Sequence, residues 1–370
     1  MTPVQSTISV RTINPETTIL DIRGNADSAF AEALNNIHRQ IADSVRRILL
    51  NFSDVVQLSI IGINAMVIFF FQAKQRRQQM MVFGLTDAHR QIFHLVRLDE
   101  VVPLLQQEDD ALAADTEARG GSVSPHPGSV QLITVPGWAP PISGLHVEGI
   151  PETAMRINVQ GRETTGPIRG FGALWEKSYR LRLNRPDIGP EEVIHLWRER
   201  FASFWPPGNY VYPSRGEALM PGTAAVLNLA LPGGLVLSTG IYVIYRDETS
   251  FSFIGALGHI LSGWIIFSAF RDERPGTIIE VIALLRAGDP LFELGFRLGA
   301  AAQEDHFWHY TLQALAGNFQ TSGRVEQQAR CIDPHLQWAA WKNVWYNAAV
   351  RSGLAMPGFL LKKLINSKSS

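Results

Sequence analysis

Apolar and polar positions follow two different rhythms along this chain, and the change falls near residue 108. In the first hundred residues strand and helix patterns alternate. Thr17-Thr18-Ile19-Leu20-Asp21-Ile22 reads as a strand that stops at Gly24. From Ala26 onward Phe30, Leu34, Ile37, Ile41 and Val45 recur at three- and four-residue spacing, which puts them on one helical face. Asn25 or Asp27 can cap that helix. Arg47 to Phe52 predicts a short strand, Ile61 to Gln75 a helix and Met80 to Leu85 another strand. Thr86-Asp87 then opens a helix through Ile92, Leu95 and Val96. This order predicts an α/β unit, a mixed sheet covered by helices.

The rhythm is lost between Glu108 and Gln131, where an acidic start leads into Gly, Ser and Pro without apolar periodicity. That composition predicts a flexible linker. The stretch to about Gly172 is rich in Pro and Gly and is expected to pack irregularly on a second domain. From Leu174, Trp175, Lys177, Tyr179, Leu181 and Leu183 alternate with polar neighbours as in a half-buried strand. Pro190-Glu191-Glu192 starts a helix stopped by Pro206-Pro207. Strand patterns over Thr223–Leu231, Leu235–Tyr245, Phe251–Ala256, Trp264–Phe270 and Thr277–Leu285 are joined by short turns, which predicts an antiparallel meander. Asp289-Pro290 supplies an N-cap and first-turn proline for one long helix to about Leu315, ended by Gly317. This second unit is α+β. The expected organisation is 5–107 for the first domain, 108–149 for linker and irregular chain, 150–320 for the second domain and 321–370 for a helical, Trp-rich tail. Trp338, Trp341 and Trp345 share a helical face and are expected to pack against a domain.

Composition narrows the function classes. The 33 basic and 34 acidic residues nearly cancel, so no basic footprint for nucleic acid is present. The single Cys331 excludes an internal disulfide and fits a reducing, cytoplasmic setting. No signal peptide is expected at the N-terminus. The apolar stretches Val55–Phe71 and Phe251–Phe270 are interrupted by polar residues and read as buried segments, not membrane spans.

The segment Asn51 to Ile63, then Asn64-Ala65-Met66-Val67 and Gln78 to Leu85, resembles the centre of a STAS domain, the fold of bacterial anti-sigma-factor antagonists. In that family a strand ends in an Asp-Ser-Ser-Gly-like turn whose first Ser is phosphorylated. The corresponding positions here are Ser59, Ile60, Ile61 and Gly62, so the phosphoacceptor position holds an alkyl side chain. The resemblance implies a protein-interaction module that works without the usual phosphorylation, with Ser59 to Gly62 as the partner-binding patch. The implied partner is an anti-sigma kinase-like protein or a signalling assembly. The order strand, helix, meander and terminal helix resembles the START-like, helix-grip superfamily of polyketide cyclases and hydrophobic-ligand carriers. Phe253 to His259, Ser262-Gly263 and Phe267 resemble a bacterial branch with a Gly-His-x-x-x-Gly-Glu-like stretch, in which Trp264 replaces the Glu.

Candidate chemistry is sparse. The helix-grip resemblance implies an apolar pocket near Gly288-Asp289, with Tyr242, Tyr245, His259 and Trp264 on its strands and turns and Leu294 and Leu298 on its helix. Gly299 on that helix reads as a place where a larger side chain would fill the pocket. Without a carboxylate beside His259 no catalytic residue is assigned. Glu304, His306 and His309 bring carboxylate and imidazole together, but a metal needs three or four ligands and no HExxH pattern exists. No cofactor is expected, since no Walker loop, dinucleotide fingerprint or GxSxG elbow occurs. The expected function is a non-catalytic signalling adaptor that binds a hydrophobic small molecule. The alternatives are a cyclase- or hydrolase-type enzyme using His259 and a membrane-surface lipid carrier using the apolar, basic end of the tail.

Overall fold

The computed structural model describes residues 6–113, 133–216 and 219–366, and from 360 onward the backbone only. The chain divides into two compact units, Met1–Pro136 and Gly137–Ser370. Most of the expected linker, 114–131, lies outside the described residues.

In the first unit β1 (Thr7–Asn14), β2 (Thr17–Ala26), α1 (Ser28–Gln40), β3 (Arg47–Leu58), α2 (Ile60–Gln75), β4 (Gln79–Phe83), α3 (Asp87–Leu95) and α4 (Glu108–Ala113) follow in order. The sheet order is β1-β2-β3-β4; β1 is antiparallel to β2, and β2, β3 and β4 run parallel. Each of the first three helices starts where the sequence supplies an acceptor. Asp27 caps α1, Ser59 caps α2 and Thr86 caps α3, each side chain accepting from backbone N–H groups of the first turn. Helix α2 is apolar nearly all round and is buried accordingly.

The second unit holds β5 (Thr164–Thr165), β6 (Leu174–Leu183), α5 (Pro190–Glu199), β7 (Tyr210–Pro213), β8 (Ala224–Ala230), β9 (Val236–Arg246), β10 (Ser250–Ala256), β11 (Leu261–Phe270), β12 (Thr277–Ala287), α6 (Pro290–Gly295), α7 (Ala301–Asn318), β13 (Glu326–Asp333) and α8 (Ala348–Asn366). Eight strands form one antiparallel sheet in the order β13-β6-β12-β11-β10-β9-β8-β7, and β5 pairs with the end of β10. The two units are therefore α/β and α+β, as the patterning predicts.

Three features differ from expectation. The helix after Asp289 is not continuous: α6 ends at Gly295, residues 296–300 make a wider π turn, and α7 restarts at Ala301. Gly299 in that turn has φ +114, a conformation that favours glycine. The stretch expected as a helical tail contributes β13, which pairs with β6. Buried Arg286 on β12 meets Asp333 at its end, Nη2 to Oδ2 3.3 Å. Finally, Trp338, Trp341 and Trp345 lie in a run of 3-10 turns and are 69%, 45% and 70% exposed, so they are not core. Among the described residues no helix is long and apolar enough to cross a membrane.

Candidate functional site

One face of the large sheet is covered by α5, the turn after it and α7. There Trp197 and Phe201 pack edge-on against Phe251 and Phe267, with ring centroids 5.1 to 6.1 Å apart, and leave no room. Elsewhere on this face the side chains do not meet, and a cavity of about 650 Å³ remains. That volume lies within the range of small-molecule sites, roughly 300–1,000 Å³. Leu227, Leu237, Phe253 and Ile265 supply its sheet wall, Phe292 and Phe296 the wall at the helix break, and Phe307 and Trp308 the α7 wall.

Of the six expected ligand-binding residues, His259 lines this cavity and the other five do not. Tyr242 alternates with Ile241 and Val243, which belong to the inner core, so it faces the other way. Its hydroxyl donates to the Pro140 carbonyl at 2.9 Å. The Tyr245 hydroxyl donates to Asp247 at 2.9 Å, and its ring packs on Trp138 with centroids 4.7 Å apart. Trp264 is buried one position before the cavity-lining Ile265, hence on the opposite face. Leu294 and Leu298 are 54% and 79% exposed, since Phe292 and Phe296, four residues apart, face the cavity and a position two residues on lies on the opposite side of a helical turn. A side chain at Gly299 would meet open space and strain the backbone, so it would not fill the pocket.

His259 sits in a turn shaped by two glycines. Gly258 has φ +96, and a Cβ there would lie 2.0 Å from the Tyr346 carbonyl oxygen. A Cβ on Gly288 would lie 2.5 Å from the His259 carbonyl oxygen. His259 Nδ1 lies 3.0 Å from the Leu261 backbone N–H and 3.1 Å from the Leu261 carbonyl oxygen, so the same ring atom is held whichever nitrogen carries the proton. Burial lowers the imidazole pKa to about 4, so the ring is a neutral group at physiological pH.

A carboxylate does line the cavity, on another element and with a lysine as its partner. Glu304, in the first turn of α7, lines the cavity with Phe307 and Trp308, at three- and four-residue spacing from it. Lys177 Nζ donates to Glu304 Oε2 at 2.8 Å and to Asp305 Oδ1 at 3.0 Å, and the Tyr179 hydroxyl donates to Asp305 Oδ1 at 2.6 Å. The Lys177 and Glu304 side chains are each only 10% exposed. Glu304 Oε1 is buried and has no hydrogen-bond partner. Burial raises the Glu304 carboxyl above the usual range against the pull of Lys177. Burial alone would lower the Lys177 ammonium, but Glu304 and Asp305 raise it, so it stays charged. A signal for this group exists in the sequence: Lys177 occupies an apolar-face position of β6, and Glu304 occupies one of α7. Among the described residues no group of three or more His, Cys, Asp or Glu is placed to hold a metal.

In the first unit, the four residues expected to bind a partner divide by burial. Ser59 Oγ accepts from the Gly62 N–H at 3.2 Å and donates to the Ala26 carbonyl at 3.0 Å. Ile60 is fully buried and Gly62 is buried, where a Cβ would lie 2.2 Å from the Ala26 oxygen. Ile60 is thus core and cannot serve as an apolar docking residue; only Ser59 and Ile61 keep partial exposure.

The STAS domain family model matches residues 9–111, in agreement with the resemblance carried by residues 51–85. Among solved structures, an anti-sigma factor antagonist from Mycobacterium paratuberculosis is 24% identical, with 30% of this chain and 96% of that one covered and a TM-score of 0.28. The Bacillus cell fate determinant SpoIIAA in its phosphorylated form is 15% identical over 30% and 99% of the two chains, TM-score 0.25. The di-domain aromatase/cyclase StfQ from the steffimycin biosynthetic pathway is 9% identical over 39% and 50%, TM-score 0.31. No curated protein matches the chain.

Proposed function

We propose that this protein is a non-catalytic signalling adaptor whose second unit binds an apolar small molecule and whose STAS-matching unit engages a protein partner of the anti-sigma-kinase type. The observation that carries this reading is the 650 Å³ cavity, walled mainly by aliphatic and aromatic side chains, with Asn209, His259, Gln303, Glu304 and His306 as its polar residues. Apolar walls with a few placed polar groups suit a lipid-like or ring-shaped ligand better than a sugar phosphate. Contact with the partner does not depend on phosphorylation at the usual position, because Ile60 has no hydroxyl and is sealed in the core. No hydrogen bond joins Glu304 to His259, which leaves the cavity without a coupled acid–base pair and supports binding over turnover.

Native mass spectrometry of the freshly purified full chain tests this reading. A retained small molecule is expected, and it is lost from Leu229→Trp, which places an indole in the cavity from a half-exposed wall position. A chain that carries no added mass and binds no apolar dye would overturn it.

A further inference from the structure

The surface that the tryptophan run presents is held in place from behind. Trp338, Trp341 and Trp345 are exposed, yet the backbone that carries them is pinned by hydrogen bonds. The Gln337 N–H donates to the Phe171 carbonyl at 2.7 Å. Asn343 Nδ2 donates to the Arg169 and Gly288 carbonyls at 3.0 and 2.9 Å, and Asn347 Nδ2 to Asp289 Oδ2 at 2.8 Å. The contacts with Gly288 and Asp289 tie the run to the start of α6, where Leu291 and Leu294, with Leu298 just beyond, are exposed as well. Large apolar side chains left open on two joined segments mark a contact surface. The charge around them has one sign. From Pro334 to Ser370 the sequence holds four Lys and one Arg and neither Asp nor Glu, although the whole chain is balanced at 33 basic and 34 acidic residues. Lys342, next to Trp341, is itself exposed. The acids at the borders are engaged, Glu293 by Arg297 at 2.9 Å and Asp333 by Arg286 at 3.3 Å.

We propose that this surface docks the second unit on an anionic phospholipid bilayer, with the indoles at headgroup level and the basic residues over the lipid phosphates. Indole rings favour the boundary between an apolar layer and a wet one, and leucine side chains beside them reach the acyl region. Each basic residue held near an anionic bilayer strengthens binding roughly fivefold. The same surface suits a second copy of this chain poorly. A two-fold contact sets a surface against itself, and here that would bring like charges together. The docking goes beyond the adaptor reading and does not depend on whether the cavity holds a ligand.

Co-sedimentation of the full chain with vesicles at neutral pH and low salt tests this. Vesicles of phosphatidylcholine alone are compared with an equal-part mixture of phosphatidylcholine and phosphatidylglycerol. The mixed vesicles are expected to bind the chain roughly 30-fold more tightly, and high salt to remove most of that advantage. Equal binding to the two, or binding to neither, would overturn the inference. Trp338→Ser combined with Trp345→Ser is expected to weaken binding to the mixed vesicles by roughly tenfold or more, because two indoles no longer insert. Far-UV circular dichroism checks that this variant is folded. Lys342→Glu, a change at an exposed position, reads the charge even if the double variant does not fold; a loss of roughly tenfold is expected. Undiminished binding in either folded variant would overturn the assignment. So would a chain that elutes as a dimer and becomes a monomer in the double variant, since the surface would then be a contact between copies. Each of these failures leaves the cavity reading intact.

Discussion

Helices α2 and α7 each lie against a sheet, and they solve that packing problem in opposite ways. Helix α2 is buried along its whole length, from Ile60 to Ala73, and its first turn is pressed so closely on β2 that only glycine fits at position 62. Helix α7 buries Trp308, Thr311, Leu312, Leu315 and Ala316, all in its C-terminal two-thirds, and nothing from Ala301 to Phe307 is fully buried. It grips the sheet with one end and stands away at the other, and the cavity occupies the gap. The cause is local. Phe292, Phe296, Ala300, Glu304 and Phe307 recur at three- and four-residue spacing along the wall of that gap, and Glu304 holds a stripe position that an aliphatic residue would otherwise fill. Glycine within a helical pattern therefore has two meanings here: contact at Gly62 and a break at Gly299.

The comparison breaks most clearly at Ile60. Ile60→Ser, which restores a hydroxyl at the family's phosphoacceptor position, removes a fully buried alkyl group and buries a polar one. The expected cost is about 3 kcal/mol. All nine tryptophans, Trp138 to Trp345, belong to the second unit, so their fluorescence reports that unit alone. In urea titrations the far-UV circular dichroism of the variant should show an earlier step while the fluorescence midpoint stays in place. An unshifted dichroism curve would mean that Ile60 is not core.

Periodicity made most of this architecture legible, and the misses have a common physical origin. Helices α1, α2 and α3 and the meander β8 to β12 bury one or both faces, so their apolar spacing announces them. Strand β13 reads Glu-Gln-Gln-Ala-Arg-Cys-Ile-Asp and is exposed over most of its length; backbone hydrogen bonds to β6 hold it, and these leave no trace in side-chain pattern. The tryptophans at 338, 341 and 345 share a spacing that suits core or surface equally, and the fold places them outside. For the site, His259 was legible from the glycines around it, but the face of each strand depends on register. That register put Tyr242, Tyr245 and Trp264 on the far side. On the helix, the stripe that faces the cavity is Phe292 and Phe296, which leaves Leu294 and Leu298 outward. The Lys177–Glu304 pair was in the pattern as two charges on apolar faces, and only their meeting across the fold shows what they do.

A second experiment sharpens the contrast through proton linkage. His259 in the second unit and His38 in the first are both lowered to about 4, chiefly by burial. Their unfolded values are near 6.5, so the folded state binds fewer protons. Stability from each is complete above about pH 6.5 and is lost as pH falls from there towards about 4, where the folded imidazole itself takes up a proton. His259→Asn offers an amide to the Leu261 backbone, which the Nδ1 atom contacts, and removes the titration. Between pH 6.5 and 4 the fluorescence-detected stability of this variant should fall by on the order of 2 kcal/mol less than that of the unaltered chain. The first unit, which keeps His38, should lose stability equally in both. An equal slope in the fluorescence signal would place His259 in contact with solvent.

The smallest expected effect tests how sharply residues 292–298 divide into wall and surface. Leu298 is 79% exposed, whereas Phe296, two residues earlier and on the opposite side of the turn, lines the cavity with Phe292. Leu298→Ser should therefore change stability by no more than about 0.5 kcal/mol, the usual span for exposed positions. It should also leave apolar-dye affinity unchanged. Phe296→Ser, on the same π turn, should weaken dye binding by about tenfold, since losing one buried apolar side chain from a ligand contact is worth roughly 1.5 kcal/mol or more. If the two substitutions weaken the dye equally, Phe296 and Leu298 do not face opposite sides of this segment. In that case the gap beside α7 would not be walled by Phe292 and Phe296, and the contrast with α2 would rest on Glu304 and the residues after it alone.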